Sequence, residues 1–221
     1  MLSLASSLAA GVLLGLSLAA PPGPMNAIIA EESVLRGWAA GFRAGLGAMS
    51  ADGVFFLVAL AGVATVLQNA PGAQAGMMAV GGLLMCYFAV GAARSARGSF
   101  TEGEAGDSTG FRKTFGLSLS NPYQVLWWLT VGVTLLDPGT LSFALPVLGD
   151  LAVSTGSAAI VVGFFSGIAI WIVTFPAALV AVGERADWFA PAVAVGSALV
   201  LAGFGLLFLY GAANELTTLL R

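Results

Sequence analysis

The chain alternates between long apolar runs and short polar breaks. Reading runs against breaks predicts helical spans at 4–30, 44–67, 73–93, 114–136, 156–182 and 190–213. A helix needs ~20 apolar residues to cross the hydrocarbon core of a bilayer, and each run reaches that length. The connections differ in charge. Residues 31–43 hold Arg36 and Arg43, residues 94–113 hold Arg94, Arg97, Arg112 and Lys113, and residues 183–189 hold Arg185. Gln68 to Gly72 and Asp137 to Thr155 hold neither Lys nor Arg. Basic residues collect on the cytoplasmic side, so the first, third and fifth connections are expected inside and both termini outside. Only Arg221 departs from the pattern.

The hydrophilic stretch Gly98 to Gly110, with Glu102, Glu104 and Asp107 among small residues, reads as a flexible cytoplasmic linker. It divides a single transmembrane domain, residues 1–221, into halves 1–97 and 111–221. With an odd number of spans per half, the second half runs opposite to the first, as in inverted-repeat transporters. Met1 to Ala20 has the look of a signal peptide with a cleavage-like Ala19-Ala20. It lacks a basic n-region, however, and Arg36 and Arg43 would hold its far end in the cytoplasm, so a first span is the better reading.

Composition reinforces the membrane assignment. Of 221 residues, 58% are hydrophobic and 9% charged, with a mean hydropathy of +0.96. Soluble domains carry roughly a quarter charged residues, so this surface has to face lipid. Six spans leave no sizeable extramembrane segment to house a soluble active site. Cys86 is the single cysteine, which excludes an intramolecular disulfide or a cysteine metal cluster, and it reads as a small lipid-buried hydrophobe. Histidine is absent, so proton or ion chemistry must run on carboxylates, amides, hydroxyls and carbonyls. No nucleophile motif supports an enzyme, and no cofactor or metal site is read. A net charge of -3 with one Lys argues against a nucleic-acid partner.

The strongest local signal is Pro21-Pro22-Gly23-Pro24-Met25-Asn26. Proline removes a donor and clashes with the preceding turn, so the first helix must break there. Freed backbone groups at membrane depth are tolerated against protein or a water-filled cavity. A half-helix opening at Pro24 would aim its unpaired amides, from Met25 and Asn26, at such a cavity and favour an anion. The alternative is a kink that only shapes packing. In the fourth span Ser120-Asn121-Pro122 places a capping amide before a proline, the order of a helix start. Paired interruptions of this kind point to a transporter site, although Pro24 lies late in its span and Pro122 a third of the way along. The expected fold class is thus all-α integral membrane: six transmembrane helices as two inverted three-helix repeats, N-out and C-out, with the first and fourth helices broken.

Asp52 falls well inside the second span, where an ionisable group is a functional candidate by default. No Lys or Arg lies mid-span to neutralise it, so it is protonated, bound to a cation or facing water; capping a local kink is the structural alternative. Glu31 and Glu32 lie past the first span and read as a solvated interfacial pair, with a cytoplasmic gate as the alternative. Gly37, Gly41 and Gly45, and likewise Gly163 and Gly167, have the spacing that permits close helix contact. Trp127, Trp128 and Trp171 sit inside spans and read as packing or cavity-lining aromatics.

Pro22-Gly23-Pro24-Met25-Asn26, the segment Arg36-Gly37 through Gly45, and Asp52 together resemble the lysine exporter (LysE/RhtB) family of amino-acid exporters. Phe115, Gly116, Asn121 and Pro122 match the family's fourth span, and the Gly-rich helix from Gly196 to Gly211 is similar as well. The resemblance implies a plasma-membrane secondary transporter that exports an amino acid or similar zwitterion on a proton gradient or membrane potential. Pro24, Met25, Asn26, Asp52, Asn121 and Pro122 would meet substrate, and Asp52, Glu31 and Glu32 would couple or gate. Two departures bear on substrate: Met25 stands where the family commonly has a second Asn, and Tyr123-Gln124 follow Pro122. A cation or metal exporter of the same superfamily and a non-transporting assembly subunit stay open, as does a homo-oligomeric state.

Overall fold

The computed structural model describes residues 2–61, 71–95, 109–145, 149–185 and 188–219. Helix α1 (Leu2–Ala19) and α2 (Pro24–Arg36) flank the proline-rich break and are bent by 82° from one another. Gly23 is extended at the start of α2, Pro24 occupies the first turn where no donor is needed, and the two helices share one apolar sequence. Next come α3 (Trp38–Leu60) and α4 (Pro71–Ser95). The fourth predicted span is divided into α5 (Gly110–Leu119), α6 (Pro122–Trp127), a π-helical turn (Trp128–Gly132) and α7 (Val133–Leu136). Helices α8 (Ala158–Gly183) and α9 (Phe189–Leu219) complete the chain.

Among the described residues, four helices are long and apolar enough to cross a membrane, α3, α4, α8 and α9, and the bent pair α1–α2 makes a fifth if it is one span. Leu83, Tyr87, Val90, Leu199, Leu206, Leu207 and Tyr210 lie exposed on α4 and α9, an outer surface suited to lipid. The broken first and fourth segments match expectation. The all-α reading needs one correction: Gly139–Leu145 (β1) and Gly149–Thr155 (β2) form an antiparallel hairpin in what was read as a plain connection. The Ser154 amide donates to Ser7 Oγ of α1 at 2.9 Å, which docks the hairpin on the first helix. The linker read at 98–110 falls almost wholly outside the described residues.

The second span starts earlier than expected. Gly37, with φ +84, closes α2 by donating its amide to Ser33 O (2.9 Å), and α3 begins at the next residue. Gly37 is therefore a turn glycine and not a packing one, since nothing lies within 4 Å of where its Cβ would sit. Gly41 and Gly45 do pack: a methyl group would strike Ser33 and Pro176 at the first, and Ile172 at the second.

Helix pairing brings sequence-distant segments together. α1 packs on α8, α3 on α5, and α4 on α9, while α2 touches α3, α5, α8 and α9. The α1–α8 contact is backbone on backbone. A Cβ on Gly11 would meet Ile160 O, one on Gly15 Phe164 O, one on Gly163 Leu8 O, and one on Gly167 Val12 O. Such close approach is how helices associate where lipid offers no hydrophobic driving force. Gly163→Ala should accordingly destabilise the protein by about 1–3 kcal/mol, because a carbonyl cannot yield as a side-chain end can. Gly203→Ala on α9, where nothing lies within 4 Å, should be neutral or slightly stabilising. Thermal midpoints in detergent check both, and equal midpoints would contradict the close α1–α8 approach.

Candidate functional site: a cavity at two helix breaks

The Asn26 side chain holds the first break together. Its Nδ2 donates to Ala19 O (2.7 Å) and to Pro21 O (2.8 Å), carbonyls left over where α1 ends. Its Oδ1 accepts from Trp171 Nε1 of α8 at 3.0 Å. Both amide protons and one lone pair are thereby used on the protein. At the start of α2 the Ala27 amide returns to Gly23 O (2.9 Å), and the first amides, Met25 and Asn26 among them, have no intrahelical acceptor.

The second break has a similar local logic. The Asn121 amide donates to Ser118 O, ending α5, and Asn121 O accepts from Gln124 and Val125, starting α6. Pro122 opens α6; its side chain lies outside the described ones. One turn later Gln124 Nε2 donates to Asp52 Oδ1 at 2.7 Å, and Trp128 Nε1 donates to the same oxygen at 2.9 Å. Trp128 begins the π-helical turn, and its indole lies where a Cβ on Gly132 would be. Asp52 is buried and held by two neutral donors, with no cation bonded to it among the described contacts. Hydrogen bonds from neutral groups satisfy the oxygen without cancelling its charge.

The two breaks and Asp52 line one cavity of about 420 Å³. Pro24, Met25, Asn26, Asp52 and Asn121 all border it. Gln124, Trp127 and Trp171 border it too. The aromatic residues were legible only as packing or lining residues, and Gln124 only as a departure from the family pattern. Trp127 stacks on Phe164 and Trp171 on Phe175, which fixes both rings as walls.

Glu31 and Glu32 do not border the cavity, and the expectation of a solvated pair is overturned. Both are buried, Glu32 completely. Glu32 Oε1 pairs with Arg36 at 2.7 Å and with Lys113 at 3.2 Å, the first one turn along α2 and the second from α5. Gly110 lies against the Glu32 side chain and closes it off. Burial is possible because two cations approach one oxygen; Glu32 Oε2 has no hydrogen-bond partner. Cys86 is half-buried at the α4–α9 contact, where it faces Gly205, and is not a lipid-facing residue alone.

A Pseudomonas aeruginosa protein described as an uncharacterized membrane protein is 32% identical over 141 residues, covering 60% of this chain and 64% of its own. A Bacillus subtilis protein bearing the name "Putative amino acid efflux protein YcgF" is 32% identical over 124 residues, 54% of this chain and 59% of its own. The chain thus spans about three fifths of the length of these curated relatives. No solved structure matches it. The family model described as "LysE type translocator" matches residues 16–212, and the chain belongs to that family.

Proposed function

We propose that this protein is a secondary transporter that exports an amino acid or similar small zwitterion across the cell membrane, driven by a proton gradient or the membrane potential. The observation that carries the reading is the shared cavity. It places the amide end of α2, suited to a carboxylate, and the Asp52 carboxylate, suited to an ammonium group or a coupling proton, around one space. The efflux name of the Bacillus subtilis relative points the same way.

Six spans in two inverted halves fit the helix pairing, and the basic connections favour N-out and C-out. If the first span corresponds to the fourth, the second to the fifth and the third to the sixth, then α1 on α8 and α3 on α5 are equivalent contacts. The α4–α9 contact maps onto itself. A two-fold relation between halves requires that pattern. On this reading Glu32, tied to Lys113 of the other half at the basic end, acts as a cytoplasmic gate with Glu31 beside it.

Purified protein in liposomes loaded with mixed amino acids tests the reading. Gradient-dependent flux of at least one amino acid is expected, and no flux of any zwitterion would overturn it. A cysteine at Thr101 should be labelled only from the cytoplasm; labelling from outside would reverse the orientation.

A further inference from the structure

The cavity discriminates among amino acids by what its walls lack. Asp52 is the single ionisable group among the described residues that border it. Ile29, Ile168, Ile172, Trp127, Trp171 and Phe204, all apolar or aromatic, border the same space. A free amino acid already brings one ammonium group, for which Asp52 is the matching charge. A lysine or arginine brings a second cation, and the border holds no second carboxylate to receive it. A glutamate or aspartate brings a second anion, and the border holds no Lys or Arg. A charge set against these walls without a partner pays a desolvation penalty, whereas an aliphatic or aromatic side chain gains from covering them. A hard divalent cation such as Mg2+ or Ca2+ fares no better, since it prefers six or more oxygen ligands and a single carboxylate is among the described residues that border the space.

Resting on the transporter reading above, we infer that the substrate is a neutral amino acid with an apolar side chain, of the leucine or phenylalanine kind, and not a dibasic or dicarboxylic one. The polar contacts on Asp52 favour this class further. Gln124 and Trp128 hold its carboxylate from the α6 side, so the group is fixed in place for one ammonium. The remaining volume is left to a side chain that needs no hydrogen bond.

Proteoliposomes holding the full chain, with protein-free liposomes as control, test this with labelled leucine, phenylalanine, lysine and glutamate. Leucine or phenylalanine should move at least about tenfold faster than lysine or glutamate, the discrimination that 1.4 kcal/mol gives. Lysine or glutamate flux equal to or above that of leucine overturns the inference while leaving the transporter reading in place. No flux of any of the four overturns the inference, and the mixed amino-acid screen above then decides the transporter reading separately. Phe204→Glu adds a second carboxylate to the border and should raise the lysine-to-leucine ratio; an unchanged ratio in the folded variant counts against the inference. Where that variant does not fold, ligand stabilisation of the wild type gives the answer. Leucine should raise its thermal midpoint and lysine should not, and the reverse order overturns the assignment.

Discussion

Asp52→Asn should lower amino-acid flux at least roughly tenfold, a loss of 1.4 kcal/mol or more, with insertion and thermal midpoint near wild type. The side chain keeps its shape and one oxygen, so Gln124 Nε2 and Trp128 Nε1 retain their acceptor. Only the charge and the ability to carry a proton are lost. A group that merely satisfied two donors would tolerate this change, because the amide oxygen accepts as a carboxyl oxygen does. Flux and expression measured on the same preparation separate the two roles. Wild-type flux at wild-type expression would remove Asp52 from the mechanism and leave the proline-rich break as the remaining candidate.

The second large effect is expected on stability. Asn26→Ala removes the donors to Ala19 O and Pro21 O and the acceptor of Trp171 Nε1 in one step. Each orphaned polar group costs about 1–3 kcal/mol when buried. Water in the cavity can reach part of this cluster, so a total of about 2–4 kcal/mol is expected, close to the whole margin of many domains. Asn26→Asp separates shape from donation, since an ionised carboxylate still accepts from Trp171 but offers nothing to the two carbonyls. Both variants should show a lower thermal midpoint, and an unchanged midpoint in either would mean that the bend is held by the prolines alone.

The contrast between Asn26 and Glu32 shows where sequence reasoning reached and where it stopped. The break around Asn26 was legible because its causes are local: three prolines and a glycine act on the turns that contain them. The cavity followed from the same rule applied at Asn121 and Pro122. What Asp52 touches was not legible, because Gln124 and Trp128 lie 72 and 76 residues away. Glu32 was misread for the same reason. Its pairing with Arg36 has ordinary helical spacing, but its burial depends on Lys113, 81 residues on. The start of α3 was misplaced because Arg43 looked like part of a loop, whereas it lies exposed on a helix that begins right after the Gly37 turn. The hairpin did leave a trace. Leu141, Phe143 and Leu145 alternate with Thr140, Ser142 and Ala144, a period of two inside a chain otherwise read for helices.

The glycine-to-backbone contact between α1 and α8 also bears on how the protein is made. A helix that enters the membrane early cannot settle until its partner exists, and the surface of α1 around Gly11 and Gly15 is cut to fit Ile160 to Phe164. The ribosome must therefore deliver most of the chain before the first helix finds its seat. Until then α1 offers bare backbone to lipid, a surface that an insertase or chaperone can cover. Helix α4 waits in the same way for α9, and α3, which has α2 beside it, waits for α5. Assembly is thus a late, concerted closure of two strands of helices into one another, and a polypeptide halted after α4 would be an incomplete mould rather than half a transporter.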